Sequence, residues 1–304
     1  MLVVIHSPGH NGDQLFAQPF VKIFVESNPD INFKLMFACS QLLYKDIVND
    51  NKNCTFFEGG HPAPWIIDKN NNNPQHELFH IFAVPYHYDS EKQIIYINMW
   101  RTLTSDNNIH CTYNGGDILD YIRNMINDIE NMSGYRLEYN CNTNSHLLPK
   151  FPVLDDEKTT GIMEKVGSLI NSFKNKKVIL FYNLTYRSGD DGPHGVDFNS
   201  NFISDLKKDE NTLLLLFRCD ENHPTVLSLE KHFNLSPSED GYNLIISAKI
   251  ARLCNKVYMK QSGGSLFVVN DENINNNVKN TEYHFFGPPE AKQSLLRYNL
   301  NVIN

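Results

Sequence analysis

Twice along the chain a short, unbroken apolar run is followed by a helical stretch and then by another apolar run. Leu2-Val3-Val4-Ile5 precedes apolar residues at helical spacing over 13–26, with Pro19 inside, and Phe33 to Ala38 reads as the next strand. A helical stretch opens with Ser40 as its cap and runs to Val48, and Thr55-Phe56-Phe57 makes a third strand. Consecutive strands joined by helices lie parallel, because the helix must cross a face of the sheet to bring the chain back. The pattern loosens over Glu77 to Trp100, which reads as two strands with a polar connection, and a helix is expected over 117–131. It then restarts: a helix at 161–174, a strand at Lys177 to Tyr182, a helix near 200–208, a strand at Thr212 to Phe217, a helix at Ile245 to Cys254 and a strand at Lys256 to Met259. Between the two series, residues 142–160 carry two prolines and no periodicity, which marks a linker. The expectation is two α/β domains, 1–148 and 160–304.

A chain of 304 residues with 41% hydrophobic and 20% charged residues has the composition of a soluble globular protein. The start lacks a basic segment and a cleavage site, and no run reaches the length of a membrane span, so a cytoplasmic protein is expected. The six cysteines are scattered without a Cys-x-x-Cys pair, which fits reduced thiols, most of them in the core. A formal net charge of −8 without a Lys/Arg cluster excludes a general nucleic-acid binder. The Asn-rich runs at 70–73 and 273–277 read as solvated loops.

Three motifs carry chemistry. His76-Glu77-Leu78-Phe79-His80 matches the zinc pattern in which two histidines one helical turn apart bind the metal and Glu polarises a water. Pro74, Pro85 and the strand-like alternation through Phe82 work against the helix it needs. The second motif is the turn after the first strand, Ser7-Pro8-Gly9-His10-Asn11-Gly12-Asp13. Loops at the carboxyl ends of parallel strands face the ligand crevice, and Gly lets backbone N–H groups approach an anion there. The glycines are not spaced as a dinucleotide or P-loop fingerprint, and Asp13 could equally be a helix cap. The third is Lys260-Gln261-Ser262-Gly263-Gly264-Ser265, which offers successive backbone donors after a strand, as a diphosphate cradle does; an ordinary turn would also account for it.

Taken together, Gly12-Asp13, Pro19 and Asn28-Pro29 in the first half, and Val257 to Met259, Ser262-Gly263 and Phe286-Gly287-Pro288 in the second, resemble the heptosyltransferase-like family of GT-B glycosyltransferases. The likeness covers the order of elements over most of the chain. Gln261 stands where that family has an Asp before its Ser-Gly pair, and Leu266-Phe267 where a His soon follows.

The resemblance implies an α/β fold of two Rossmann-like domains facing a cleft, GT-B-like, with an acceptor side in 1–148 and a nucleotide-sugar side in 160–304. It implies an inverting glycosyltransferase that needs no metal or other cofactor, takes a nucleotide-sugar donor, and passes the sugar to a glycan or glycolipid acceptor. Asp13 would be the catalytic base. Gly12, His10, Arg187, Arg218, Lys260, Ser262, Gly263, Gly264 and Ser265 would bind substrates, the cations and backbone donors holding the departing diphosphate. The alternatives are a non-catalytic binder of glycans or nucleotides with the same fold, and a zinc hydrolase built on His76 and His80.

Overall fold

The computed structural model describes residues 1–7, 11–37, 41–58, 84–99, 118–141, 148–173, 176–182, 197–217, 219, 223–235, 241–260, 265–277, 279–286 and 301–303. The chain divides into two compact units, Met1–Pro152 and Val153–Asn304.

The first unit is a five-stranded sheet. Strand β1 (Leu2–Ser7) lies at its centre, parallel to β2 (Asn32–Phe37) on one side and to β5 (Ile94–Asn98) on the other; β3 (Cys54–Phe56) extends it beyond β2 and β4 (Tyr86–Asp89) beyond β5. Only β4 runs antiparallel, as a hairpin with β5. The hairpin turn is built by Asp89, whose Oδ1 accepts the N–H groups of Glu91 (3.1 Å) and Lys92 (3.0 Å), and by Gln93 in the left-handed region at φ 55°. Val3, Ile5, Phe33, Leu35, Ile95 and Ile97 are all within about 1% of complete burial on one face, and Val4, Met36 and Tyr96 are buried on the other, as in strands covered on both sides.

Helix α1 (Asn11–Ser27) follows β1 and contains Pro19, which removes a backbone donor but leaves the helix unbroken. Two amides fasten it. Gln18 Nε2 donates to the carbonyls of Leu43 (2.7 Å) and Lys150 (2.5 Å), while its Oε1 accepts from Lys150 N–H (2.8 Å). Asn28 Nδ2 donates to the carbonyls of Phe24 (2.7 Å) and Glu138 (2.8 Å), and its Oδ1 accepts from Glu138 N–H (2.8 Å). A 3-10 turn (Gln41–Tyr44) leads into α2 (Lys45–Asp50), and α3 (Ile118–Ser133) packs on β4, with Tyr86 Oη donating to Asp128 (2.5 Å).

Among the described residues, the strands of the second unit are all parallel. Its strands are β6 (Lys177–Tyr182), β7 (Thr212–Leu216), β8 (Val226–Ser228), β9 (Lys256–Lys260), β10 (Glu282–Phe286) and β11 (Asn301–Ile303), in the spatial order β11-β10-β9-β6-β7-β8. Counted from the unit's own start, that is the 3-2-1-4-5-6 order of the doubly wound Rossmann sheet. Helix α4 (Glu157–Ser172) precedes β6, capped by Asp156, which accepts from Thr159 N–H (2.8 Å) and Tyr242 Oη (3.0 Å). Helix α5 (Asp197–Lys208) packs Ile203 and Leu206 on the face of Ile179, Phe181, Leu214, Leu216, Val226 and Tyr258. Short α6 (Leu229–Phe233) follows β8, and α7 (Tyr242–Ala251) is buried almost all round, as its apolar sequence requires.

The Asn-rich run at 273–277 is not a solvated loop at its start. Asn270 caps α8 (Asp271–Ile274), and Asn273, 1% exposed, donates to the carbonyls of Ala248 (3.1 Å) and Val268 (2.9 Å). An amide that can satisfy two buried carbonyls is worth more inside than in water. Cys54, Cys141 and Cys254 are buried free thiols and Cys219 is half-buried. No helix among the described residues is long and apolar enough to cross a membrane.

Candidate functional site

In each sheet the ligand-facing position follows from strand order: where neighbouring strands send their connections to opposite faces, the carboxyl ends leave a crevice. In the second unit that point lies between β6 and β9, whose carboxyl ends meet at the Tyr182/Met259 pair. The segments leaving these two strands are 183–196 and 261–264, the regions singled out for Arg187 and for Ser262, Gly263 and Gly264. These residues lie outside the described ones, as do His10 and Arg218. Lys260 is the last residue of β9 and Ser265 opens the 3-10 turn Ser265–Val268; their backbones are described. The topology therefore brings the ends flanking both segments together, which linear spacing could not show.

The exit from the Ser-Gly-Gly stretch is firmly held. Asn270 Nδ2 donates to the Phe267 carbonyl (2.8 Å), its Oδ1 accepts from Asn273 N–H (3.0 Å), and Asn273 reaches back to Val268. Phe267 and Val268 are completely buried. Below the crevice, Phe181 faces Tyr258 at 6.5 Å and Tyr258 stacks on His284 at 4.8 Å between centroids. Towards the amino end of the same strands Lys256 pairs with Glu282, which also meets His284 at 3.2 Å. The Lys256 contact holds the Glu282 carboxyl below the ordinary range and raises the ammonium in return; burial lowers the His284 imidazole, against the pull of Glu282.

In the first unit the strand order turns at β1, which lies between β2 and β5 at the centre of the sheet, and its carboxyl end is polar although it is buried. His6 (1% exposed), Ser7 and Asn98 (both 0%) gather there, with His6 and Asn98 register partners across β1 and β5. Three polar side chains ending otherwise apolar strands mark the place where the sheet stops serving only as core. Sequence reading singled out the turn beginning at Ser7 but missed Asn98; the signal was the single polar residue closing the run Ile94-Ile95-Tyr96-Ile97-Asn98.

Gly12 and Asp13 fall in the first turn of α1, directly after this edge. That turn is anchored from below, because Tyr44 Oη donates to the Gln14 carbonyl at 2.5 Å and the Tyr44 ring stacks on Phe37 at 4.1 Å. Complete burial pushes the Tyr44 phenol well above its ordinary value, so it keeps its proton and remains a donor at neutral pH. The zinc motif residues His76, Glu77 and His80 lie outside the described residues. Among the described residues no group of three or more His, Cys, Asp or Glu side chains could hold a metal ion.

No family model matches the chain, and no curated protein matches it. Among solved structures, the chain is similar to the glycosyl transferase family 9 protein of Veillonella parvula DSM 2008, at 11% identity and TM-score 0.50 over 99% of this chain and 86% of that one. It also aligns with the E. coli heptosyltransferase WaaC, solved with ADP (12% identity, TM-score 0.42, 95% and 88% covered). The E. coli ADP-heptose lps heptosyltransferase II gives 10% identity and TM-score 0.40, with 100% and 90% covered. The fold is shared with the Veillonella protein: α/β and GT-B-like, with a Rossmann-like sheet in each unit.

Proposed function

We propose that the chain is a glycosyltransferase that moves a sugar from a nucleotide-sugar donor to a glycan or glycolipid acceptor, with inversion and without a metal. The observation that carries this reading is the strand order of the second unit. It sets the end of β6 beside the end of β9, so that the segments on either side of a nucleotide crevice start from adjacent points. The GT-B-like fold supports the reading independently.

In the proposed reaction the acceptor hydroxyl oxygen attacks the anomeric carbon of the donor sugar, and the bond from that carbon to the diphosphate oxygen breaks. The hydroxyl proton passes to the Asp13 carboxylate, and the bonding pair leaves with the nucleoside diphosphate. Gly12 and His10 border the acceptor side. On the donor side the charge growing on the diphosphate is met by the backbone N–H groups of Ser262, Gly263, Gly264 and Ser265, and by Lys260, Arg187 and Arg218. The residues that follow the Ser-Gly-Gly stretch, Phe267 and Val268, are pinned by Asn270 and Asn273. The domain assignment follows: an acceptor side in residues 1–148 and a nucleotide-sugar side in 160–304.

The test is the thermal midpoint against a panel of nucleoside diphosphates and nucleotide sugars, each with and without chelator. A ligand at 100 times its Kd adds about 2.7 kcal/mol. One nucleotide raising the midpoint by several degrees, unaffected by chelator and followed by sugar transfer or donor hydrolysis, is the expected result. Absence of any nucleotide shift sinks the transferase reading, and a midpoint that collapses in chelator returns attention to His76 and His80.

A further inference from the structure

The chain that joins the two units is fastened on both sides of their boundary, which falls between Pro152 and Val153. On the near side the grip comes from Gln18, buried in α1. Its Nε2 donates to the Lys150 carbonyl (2.5 Å) and its Oε1 accepts the Lys150 N–H (2.8 Å), so both backbone groups of one residue are held by one side chain. The other Nε2 proton goes to the Leu43 carbonyl (2.7 Å), which commits the whole amide. Phe151 and Pro152, which follow, are buried. On the far side the Asp156 carboxylate accepts from the N–H and the hydroxyl of Thr159 (both 2.8 Å) and from Tyr242 Oη (3.0 Å), with the Lys158 ammonium 4.3 Å over the Tyr242 ring. The start of α4 is thereby tied to the start of α7.

Between the two fastenings lie Val153, Leu154 and Asp155. Val153 is 74% exposed, Asp155 is exposed as well, and among the described residues none of the three has a hydrogen bond to the rest of the chain. An exposed stretch without hydrogen bonds, set between two that are held, is where backbone dihedrals change most easily. The place of the near grip matters too. Glu138 is held at Asn28, just past the end of α1, and Lys150 at Gln18, so between these points the chain has come back along the helix towards its first turn. Gln18 stands five residues from Asp13, about 7.5 Å of helix axis at 1.5 Å per residue.

We propose that Gln18 is a positioning residue. By gripping Lys150 it fixes, on the helix that carries Asp13, the point from which the tether to the second unit starts, and it confines the free part of that tether to Val153, Leu154 and Asp155. The role of Asp13 rests on the transferase reading; the grip and the three-residue pivot do not. A longer free tether dilutes what one unit presents to the other, because effective concentration falls roughly as the −3/2 power of tether length. Freeing residues 150–152 as well, from three residues to six, lowers it about threefold.

The full chain is digested under native conditions with a protease that cuts before Asp. Cuts before Asp155 and Asp156 are compared with cuts before Asp120 and Asp128, which lie within α3 and need the first unit to open. Gln18→Met keeps the side-chain length and the helix propensity but removes all three hydrogen bonds. The linker cuts should quicken about tenfold or more, the factor that losing one or two hydrogen bonds gives to an opening equilibrium, while the α3 cuts lag behind. Asn28→Ala, which loosens the same helix farther from the linker, should leave the linker cuts near the wild-type rate. Equal quickening in α3 or in Asn28→Ala, or none in Gln18→Met, overturns the proposal. Hydrogen exchange in the wild type needs no variant: the Lys150 amide should be protected and those of Leu154 and Asp155 should exchange freely, and equal rates overturn the grip. In a transfer assay Gln18→Met should lower kcat about threefold or more at unchanged donor KM. Full kcat alongside faster linker cuts overturns the positioning role. If the wild type transfers from no donor, the transferase reading fails, and digestion and exchange still decide the grip and the pivot.

Discussion

The hydroxyl of Tyr44 holds the backbone of α1 at Gln14, one residue beyond Asp13, through a 2.5 Å hydrogen bond made in complete burial. Tyr44→Phe keeps the ring and its stack on Phe37 but strips the Gln14 carbonyl of that donor. The expected cost is about 1–2 kcal/mol, or roughly 2–8 °C in the midpoint. An unchanged midpoint would remove Tyr44 as the anchor of the turn.

Asn28 is the heavier fastening. Asn28→Ala deletes two hydrogen bonds to the backbone of Glu138 and a third to the Phe24 carbonyl of α1, leaving both backbone groups of Glu138 without this partner. A loss of about 2–4 kcal/mol is expected in urea unfolding, read as a lower midpoint concentration at unchanged slope. Asn273→Ala, which frees two buried carbonyls in the second unit, should cost about 1–3 kcal/mol.

His284 predicts a dependence on pH. Burial first, opposed by Glu282, holds its folded-state pKa below the ordinary 6.5, so the unfolded chain takes the proton more readily. Stability from this group is complete above about pH 6.5 and declines as pH falls from there through the lower folded-state value. Glu282, depressed chiefly by Lys256, opens a second window: its contribution is present above the unfolded value near 4.5 and lost below it. In His284→Phe, which keeps a ring against Tyr258, the decline below pH 6.5 should flatten while the one below 4.5 remains. A melting series from pH 8 to 4 checks both, and a decline below 6.5 that survives the substitution counts against His284.

If Asp13 is the base, Asp13→Asn should reduce kcat by about 10²–10⁴-fold. The nucleotide-induced midpoint shift should persist, since the proposed donor side is in the second unit. Full activity in Asp13→Asn would move the proton to another group, and loss of the nucleotide shift would give Asp13 a binding role instead.

The alternation of apolar runs and helices made both parallel sheets legible, because a strand covered on two faces has no polar residue to interrupt it. Five of the described elements were not legible. β8 and β11 are three residues long and the helices α6 and α8 only five and four, too short for any period, and β10 reads Glu-Tyr-His-Phe-Phe because Glu282 on it meets Lys256. Strand order escaped too, since it depends on which edges meet rather than on spacing. At the site, sequence singled out the turn at Gly12-Asp13 and the stretch at Ser262–Gly264. Asn98 needed the register of β1 against β5 to come beside His6.

β1 takes its second parallel neighbour from β5, with Leu2 opposite Ile94 and His6 opposite Asn98. A nascent chain synthesised only as far as β3 can pair β1 on one side while its other edge, among the most apolar in the molecule, waits for residues more than ninety positions away. Loop closure of that length comes late, and an unpaired apolar edge invites other chains. The polar rim beside Asp13 is therefore among the last parts of the first unit to exist, and fragments ending before residue 94 would be the ones to aggregate.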